Sequence, residues 1–374
     1  MVQDYDVFLS VEDGLYVSYD GGDSWNLRGP SKVHPEEIVK TANGDIFGVN
    51  THFPLAGETK GLCVLRNDEL YWRPTLLVDE YQADTGLMHM ATGALALLSE
   101  SIVLAATGAG VWACAQRGEK CYPIGPYIKK KRGWFEFRDR LDFGDVPNIE
   151  TLVISRSGYG DVNPAQYPLI LAGSFKKMYW CRWGDGAQED GSQSWFRPYP
   201  APDDWVTRLV EFGDNVAAWT RSGVFVNWDA RHDNWEKIDR GNSIQSHTPL
   251  LACAVSPDGK KVFCANGNGT MFTAEYDLVS SELHGGGQPQ INSFYTWLKN
   301  RDSAPLSIWQ KVWADKSWVC PPVFSPNYSK DHTAFTLCGS IGLLKSTDGG
   351  ICWQPSNGKG IPQPQDRIWC FPRC

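Results

Sequence analysis

Two eight-residue phrases, one near each end of the chain, constrain the fold most tightly. Ser18-Tyr-Asp20-Gly-Gly22-Asp-Ser-Trp25 and Ser346-Thr-Asp348-Gly-Gly350-Ile-Cys-Trp353 both read S-x-D-x-G-x-x-W, and each follows a short apolar stretch that opens with Gly14 or Gly342. The Asp side chain can accept bonds from the N–H groups of a tight turn. The glycines can take positive φ, and the Trp can cover the hairpin from the returning strand. Each phrase therefore predicts a β-hairpin, and a chain that begins and ends in the same hairpin invites a search for repeats.

The rest of the chain repeats the phrase in weakened form. Apolar strands are expected at Val7, Asp45, Ile102, Leu169, Val216, Val262 and Ala334. Glycine turns follow at Gly14, Gly61, Gly110, Gly223, Gly269 and Gly342, with Lys177 in that place in the fourth unit. Each unit ends on a tryptophan: Trp25, Trp72, Trp134, Trp195, Trp235, Trp309 and Trp353. Seven units in 374 residues average about 53 residues each, a length that suits propeller blades. A further apolar strand is expected between units, at Glu37, Met88, Thr151, Thr207, Leu250 and Pro322. The first unit lacks one, and Arg367-Ile-Trp-Cys-Phe-Pro at the far end can supply it, removing an exposed sheet edge. The expectation is an all-β, seven-bladed β-propeller of four-stranded antiparallel blades. It would form a single domain over residues 1–374, closed by pairing of the C-terminal strand with the N-terminal blade.

The phrase resembles the Asp-box, or BNR repeat, of sialidases, sortilin-type receptors, xyloglucan-active hydrolases and photosystem II assembly factors. The resemblance rests on Ser18, Asp20, Gly22 and Trp25, and on Ser346, Asp348, Gly350 and Trp353. It implies the fold. It implies no activity, because that family uses the box to build hairpins.

Composition narrows the function classes. A net charge of −8 and a pI near 5.4 argue against general nucleic-acid binding, which needs a basic face. The one basic cluster, Lys129-Lys130-Lys131-Arg132, reads as a solvated loop. The apolar stretch from Leu87 to Cys114 is broken by Ser99-Glu100-Ser101, so it predicts two buried strands around a turn and no membrane span. The start of the sequence has no basic segment followed by an apolar one, and the eleven cysteines show no zinc-type spacing. Buried free thiols and a cytoplasmic setting are expected. Cys114 and Cys121 are close enough in sequence to bridge a loop.

Long insertions are expected at 116–131, 157–167 and 277–306, all on one face, and the last contains a candidate amphipathic helix from Ile291. Loops on a rigid scaffold commonly carry recognition, so a protein partner is expected there. The opposite face gathers His52, Asp79, Glu80, Asp84, Asp142, Asp145, Asp203 and Asp204, a negative mouth suited to a cation or a basic peptide. Ordinary surface charge accounts for the same residues. His89, between Met88 and Met90, is the one suggestion of a soft-metal position in the channel, where Arg156 and Arg208 are also expected.

The catalytic sets of related folds are not legible. A sialidase needs three arginines on the substrate carboxylate, and only Arg156 and Arg208 are candidates. A glycosidase needs two placed carboxylates, and no spacing singles out a pair. No metal, phosphate-binding or dinucleotide motif is present, so no cofactor is expected. The leading reading is a non-catalytic protein-interaction module: a scaffold, sensor or assembly factor. The alternatives are a carbohydrate-active hydrolase using the acidic mouth and a small-ligand or metal-binding propeller.

Overall fold

The computed structural model describes residues 6–11, 13–31, 35, 37–50, 61–75, 94–108, 110–126, 149–155, 168–174, 177–184, 195, 205–212, 215–220, 223–227, 235–237, 252–256, 260–265, 270–275, 310–314, 319–320, 322–325, 327–356 and 358–360. Their strands form seven antiparallel sheets of three or four strands, and within each sheet every strand pairs with its neighbour in sequence.

The first sheet holds β1 (Val7–Val11), β2 (Gly14–Ser18) and β3 (Asn26–Leu27). The second holds β4 (Glu37–Lys40), β5 (Ile46–Asn50), β6 (Gly61–Leu65) and β7 (Trp72–Pro74). The third holds β8 (Ala94–Ser99), β9 (Ile102–Thr107), β10 (Gly110–Ala115) and β11 (Lys120–Gly125). The fourth holds β12 (Ile149–Ser155), β13 (Leu169–Ser174) and β14 (Met178–Arg182). The fifth holds β15 (Val206–Phe212), β16 (Asn215–Thr220), β17 (Gly223–Asn227) and β18 (Trp235–Lys237). The sixth holds β19 (Ala252–Val255), β20 (Lys261–Ala265), β21 (Thr270–Glu275) and β22 (Gln310–Ala314). The seventh holds β23 (Val323–Phe324), β24 (Ala334–Cys338), β25 (Gly342–Ser346) and β26 (Gln354–Pro355), with a one-turn helix, α1 (Tyr328–Asp331), between β23 and β24.

The chain divides into two compact units, Pro35–Lys237 and a second made of Met1–His34 with Ile238–Cys374. Within Pro35–Lys237, consecutive sheets share apolar cores. Phe47, Val49, Leu62 and Val64 of the second sheet meet Val103, Ala105 and Trp112 of the third. Leu104, Ala106 and Ala113 of the third meet Leu152, Ile170 and Ala172 of the fourth. Leu169, Leu171 and Met178 of the fourth meet Val206, Val216 and Ala218 of the fifth. The central strands are therefore covered on both faces. All six residues of β13 and the last five of β9 are buried, which is why these strands read as continuous apolar runs with little alternation. Gly173 sits where a Cβ would lie 2.6 Å from Thr151 Cγ2 and 2.7 Å from Val206 Cγ1.

In the other unit, Phe263 and Met271 of the sixth sheet pack with Ala334, Leu344 and Trp353 of the seventh. Phe335, Leu337 and Leu343 of the seventh pack with Leu9, Val11 and Trp25 of the first. The first and last sheets of the sequence thus share one core.

The third sheet corrects two sequence expectations. Its first strand is β8, not the segment around Met88, and the pair β8–β9 turns at Glu100-Ser101. Residues 116–131 are not one long loop. Gln116 and Arg117 turn with φ of 50° and 58°, and β11 returns at once along β10, pairing Ala115 with Lys120 and Val111 with Gly125. The outer strand there carries Tyr122 and Ile124 in place of a tryptophan, and Trp134 lies outside the described residues. In the sixth sheet the outer strand places Trp313 opposite Met271.

Candidate functional site

The two S-x-D-x-G-x-x-W turns fold alike. In the first, the Ser18 hydroxyl donates to Asp20 Oδ1 (2.7 Å) and accepts from the Gly22 N–H (2.7 Å). Asp20 Oδ1 also accepts from the N–H groups of Asp23 (3.0 Å) and Ser24 (2.8 Å), and its Oδ2 from the Ser24 hydroxyl (2.5 Å). In the second, the Ser346 hydroxyl donates to Asp348 Oδ1 (2.8 Å) and accepts from Gly350 N–H (2.8 Å). Asp348 Oδ1 accepts from Ile351 N–H (3.0 Å) and Cys352 N–H (2.9 Å). Each tryptophan indole closes its own turn, Trp25 on Gly22 O and Trp353 on Gly350 O, both at 3.0 Å. Gly22 and Gly350 adopt φ of 92° and 84°, where a side chain would be strained.

This bonding fixes the charge states. The Ser24 hydroxyl is the main cause holding Asp20 down to about 2, with the turn N–H groups and Ser18 adding to it. Burial pushes the Asp348 carboxyl up, but donors from Cys352, Ser346 and Ile351 outweigh it and leave the group below the usual range. A carboxylate kept ionised by its own turn is a poor general acid, and its low basicity makes it a poor base at neutral pH. Both carboxylates are committed to the turn.

Each turn also seats on a neighbouring sheet. A Cβ on Gly350 would lie 2.4 Å from the Phe263 ring on β20, and one on Gly22 would lie 2.9 Å from the Phe335 ring on β24. Beyond β26 the chain runs back along the first turn. Trp25 N–H donates to Lys359 O (2.8 Å) and Lys359 N–H to Asp23 O (3.0 Å), making a parallel bridge between Ser24 and Lys359. Gly358 and Gly360 allow this approach: a Cβ at either would come within 2.5 Å of a backbone oxygen, Gly22 O and Trp25 O respectively.

Between the two turns lies a cleft of about 410 Å³, lined by Asp23, Lys345, Asp348, Cys352, Gln354 and Ser356 among others. Lys345 Nζ reaches Asp23 Oδ1 at 3.2 Å and stands 5.8 Å from the Phe335 ring centroid. The Cys352 thiol is exposed, and its hydrogen bond with Asp348 pushes its pKa up, which disfavours the nucleophilic thiolate. The cleft offers a polar ligand the Lys345–Asp23 pair, with Asp348 committed to its turn, and no activated nucleophile. Asp23 was hidden in the sequence because it sits inside a phrase whose pattern announces turn building, and Lys345 because it lies in the apolar strand just before the second phrase.

A second charged cluster went unread. Asp45 is buried at the start of β5, where it accepts from Arg117 Nε (2.8 Å), Arg117 Nη2 (2.9 Å), Asn43 Nδ2 (2.9 Å) and Asn67 N–H (2.9 Å). Arg117 also binds Asp68. Burial raises the Asp45 carboxyl, but Arg117, Asn67 and Asn43 together bring it below its ordinary value. The cluster ties the second sheet to the β10–β11 turn. The sequence signal was the turn Thr41-Ala-Asn-Gly-Asp45, but its partner lies 72 residues away.

Of the residues expected on the ligand face and in the channel, His52, Asp79, Glu80, Asp84, Asp142, Asp145, Asp203, Asp204, His89 and Arg156 lie outside the described residues. Arg208 has its backbone in β15, opposite Trp219 of β16, and its side chain lies outside the description. Insertions 157–167 and 277–306 fall between β12 and β13 and between β21 and β22, and are outside it too, apart from the connection they imply. Among the described residues, no three or more His, Cys, Asp or Glu gather as a metal site. Among them also, no helix is long and apolar enough to cross a membrane.

No family model matches this sequence, and no curated protein does. Solved structures do. The β-propeller domain of Cps50 (Swd1) from Myceliophteria thermophila superposes with a TM-score of 0.54 at 11% identity, covering 91% of this chain and 93% of that one. YCF48 from Cyanidioschyzon merolae gives 0.51 at 12% identity, covering 92% and 91%. The extracellular domain of BT4673 from B. thetaiotaomicron gives 0.49 at 10% identity, and this chain spans 34% of that longer one while 94% of it is covered. At these identities the first two likenesses show the fold alone, and the fold is a β-propeller.

Proposed function

We propose that residues 1–374 form one seven-bladed propeller of the Asp-box type, working as a non-catalytic module that binds a protein partner through its inserted loops. The observation that carries the reading is the commitment of both box carboxylates. Asp20 and Asp348 are each held by three or more hydrogen bonds from their own turns, and their glycines seat on Phe335 and Phe263. The most motif-like residues of the chain thus build hairpins and sheet contacts. Seven sheets among the described residues, and the core shared by the first and last of them, support the ring. A strand at Arg367–Pro372, outside the described residues, would complete the first sheet by pairing with β1. The eleven cysteines, without zinc-type or framework spacing in the sequence, support a cytoplasmic setting.

Affinity capture from the native host tests the reading, using the full chain beside a variant in which residues 277–306 are replaced by a short linker. The full chain should enrich a protein that the variant, folded by circular dichroism, does not. Equal enrichment by both would remove the loop from the interface. Hydrolysis of a glycan panel by the full chain, abolished by changing one acidic residue, would replace the module with an enzyme.

A further inference from the structure

The β10–β11 hairpin places two thiols directly opposite one another. Cys114 and Cys121 are cross-strand partners in the antiparallel register, and the Cys121 thiol donates to Cys114 Sγ at 2.8 Å. Residues opposite one another in an antiparallel pair have Cα atoms about 4.5–5.5 Å apart, inside the 4.4–6.8 Å that disulfides span. Both side chains lie on the face turned to the second sheet, with Cys114 in the core and Cys121 packed at its margin. Cys114 is fully buried, and Cys121 retains partial access to solvent. The other described cysteines differ in setting: Cys63, Cys181, Cys320 and Cys338 are buried, and Cys352 is exposed.

We infer that Cys114 and Cys121 form a thiol pair that closes into a cross-strand disulfide when the chain meets a low-molecular-weight disulfide of the glutathione class. Cys121 is the attacking sulfur because it is the accessible one. Its thiolate, formed by loss of a proton to solvent, attacks one sulfur of the small disulfide. The S–S bond breaks, the first small thiolate leaves and is protonated, and Cys121 carries a mixed disulfide. Cys114 then loses its proton and attacks Cys121 Sγ, expelling the second small thiol. Two protein thiols are oxidised, and one small disulfide is reduced to two thiols. The hydrogen bond with Cys121, burial and repulsion between the two sulfurs push the Cys114 thiol well up, which suits Cys114 to the second, resolving step and leaves the first attack to Cys121. The short connection already holds the sulfurs together. Gln116 and Arg117 adopt left-handed backbone, and Arg117 is anchored on Asp45.

The test uses the full chain equilibrated in glutathione buffers from fully reduced to fully oxidised, with free thiols alkylated in an acid-quenched, unfolded sample. Arg117 and Lys120 lie between the two cysteines, so trypsin separates them into peptides that only a disulfide keeps joined. The expected result is a joined Cys114–Cys121 peptide pair, about 2 Da lighter than the two thiol peptides together, rising with oxidation and lost on adding dithiothreitol. In Cys114→Ser, Cys121 should stop at the glutathione adduct. Full alkylation of both cysteines across the whole range would overturn the inference, as would a Cys121 linked chiefly to another cysteine. If Cys114→Ser does not fold, peptide mapping of the unaltered chain decides the matter alone.

Discussion

Asp20 and Asp348 each replace several water contacts with donors of one tight turn, so removing either carboxylate frees a set of N–H groups at once. Asp348→Ala is expected to lower the unfolding free energy by about 1–3 kcal/mol, measured by urea denaturation. Gly350→Ala combines strain at φ 84° with a Cβ 2.4 Å from Phe263, and is expected to cost more than Asp348→Ala. The pH dependence has a definite sign. The Asp20 carboxyl is lowered from 3.8 to about 2, so its stabilisation is complete above the unfolded value and disappears as pH falls through the folded one. Stability should therefore fall between about pH 4 and pH 2, and Asp20→Asn should flatten that decline; an unaltered acid profile in the variant would show that the bonds to Asp20 contribute nothing. At this scale the sequence was highly legible. A serine, an aspartate, two glycines and a tryptophan within eight residues specify one turn by local bonds. Arg117 was opaque because its partners, Asp45 and Asp68, are distant in the chain.

Elements were legible where glycine marks a turn. Gly14, Gly61, Gly110, Gly223 and Gly342 each open a strand as expected, and Gly14, Gly110 and Gly342 have positive φ that other residues resist. The third sheet was misread for the converse reason. Its β10–β11 turn runs through Gln116, Arg117 and Gly118, all at positive φ, of which only the lone glycine is a turn signal, and the apolar run before β9 has no period that fixes where β8 begins. The ion cluster supplies what composition did not. Arg117→Ala would leave the buried Asp45 charge without its main partner. Because Arg117 is 37% exposed, a loss of about 1–2 kcal/mol is expected from thermal or urea unfolding, well short of a deeply buried pair. Gly173→Ala should cost about 1–3 kcal/mol, since the added methyl meets Thr151 and Val206 where the fourth and fifth sheets pack.

For the whole molecule, repeat counting from tryptophans and glycines anticipated the succession of antiparallel sheets seen among the described residues, while the residues expected on the ligand face lie outside them. The proposed closure makes its own prediction. Removing residues 365–374 should lower the thermal midpoint of the chain by on the order of 5–10 °C and shift both halves together, whereas loss of a dispensable tail would leave the melting curve unchanged. The contact between the first turn and Lys359 also bears on biosynthesis. Trp25 leaves the ribosome tens of seconds before Lys359 at ordinary elongation rates of roughly 5–20 residues per second. Through that interval the apolar side of the first hairpin, Leu9 and Val11 included, has none of its eventual companions from the seventh sheet, so it waits unsheltered and is the natural client for a chaperone acting during translation.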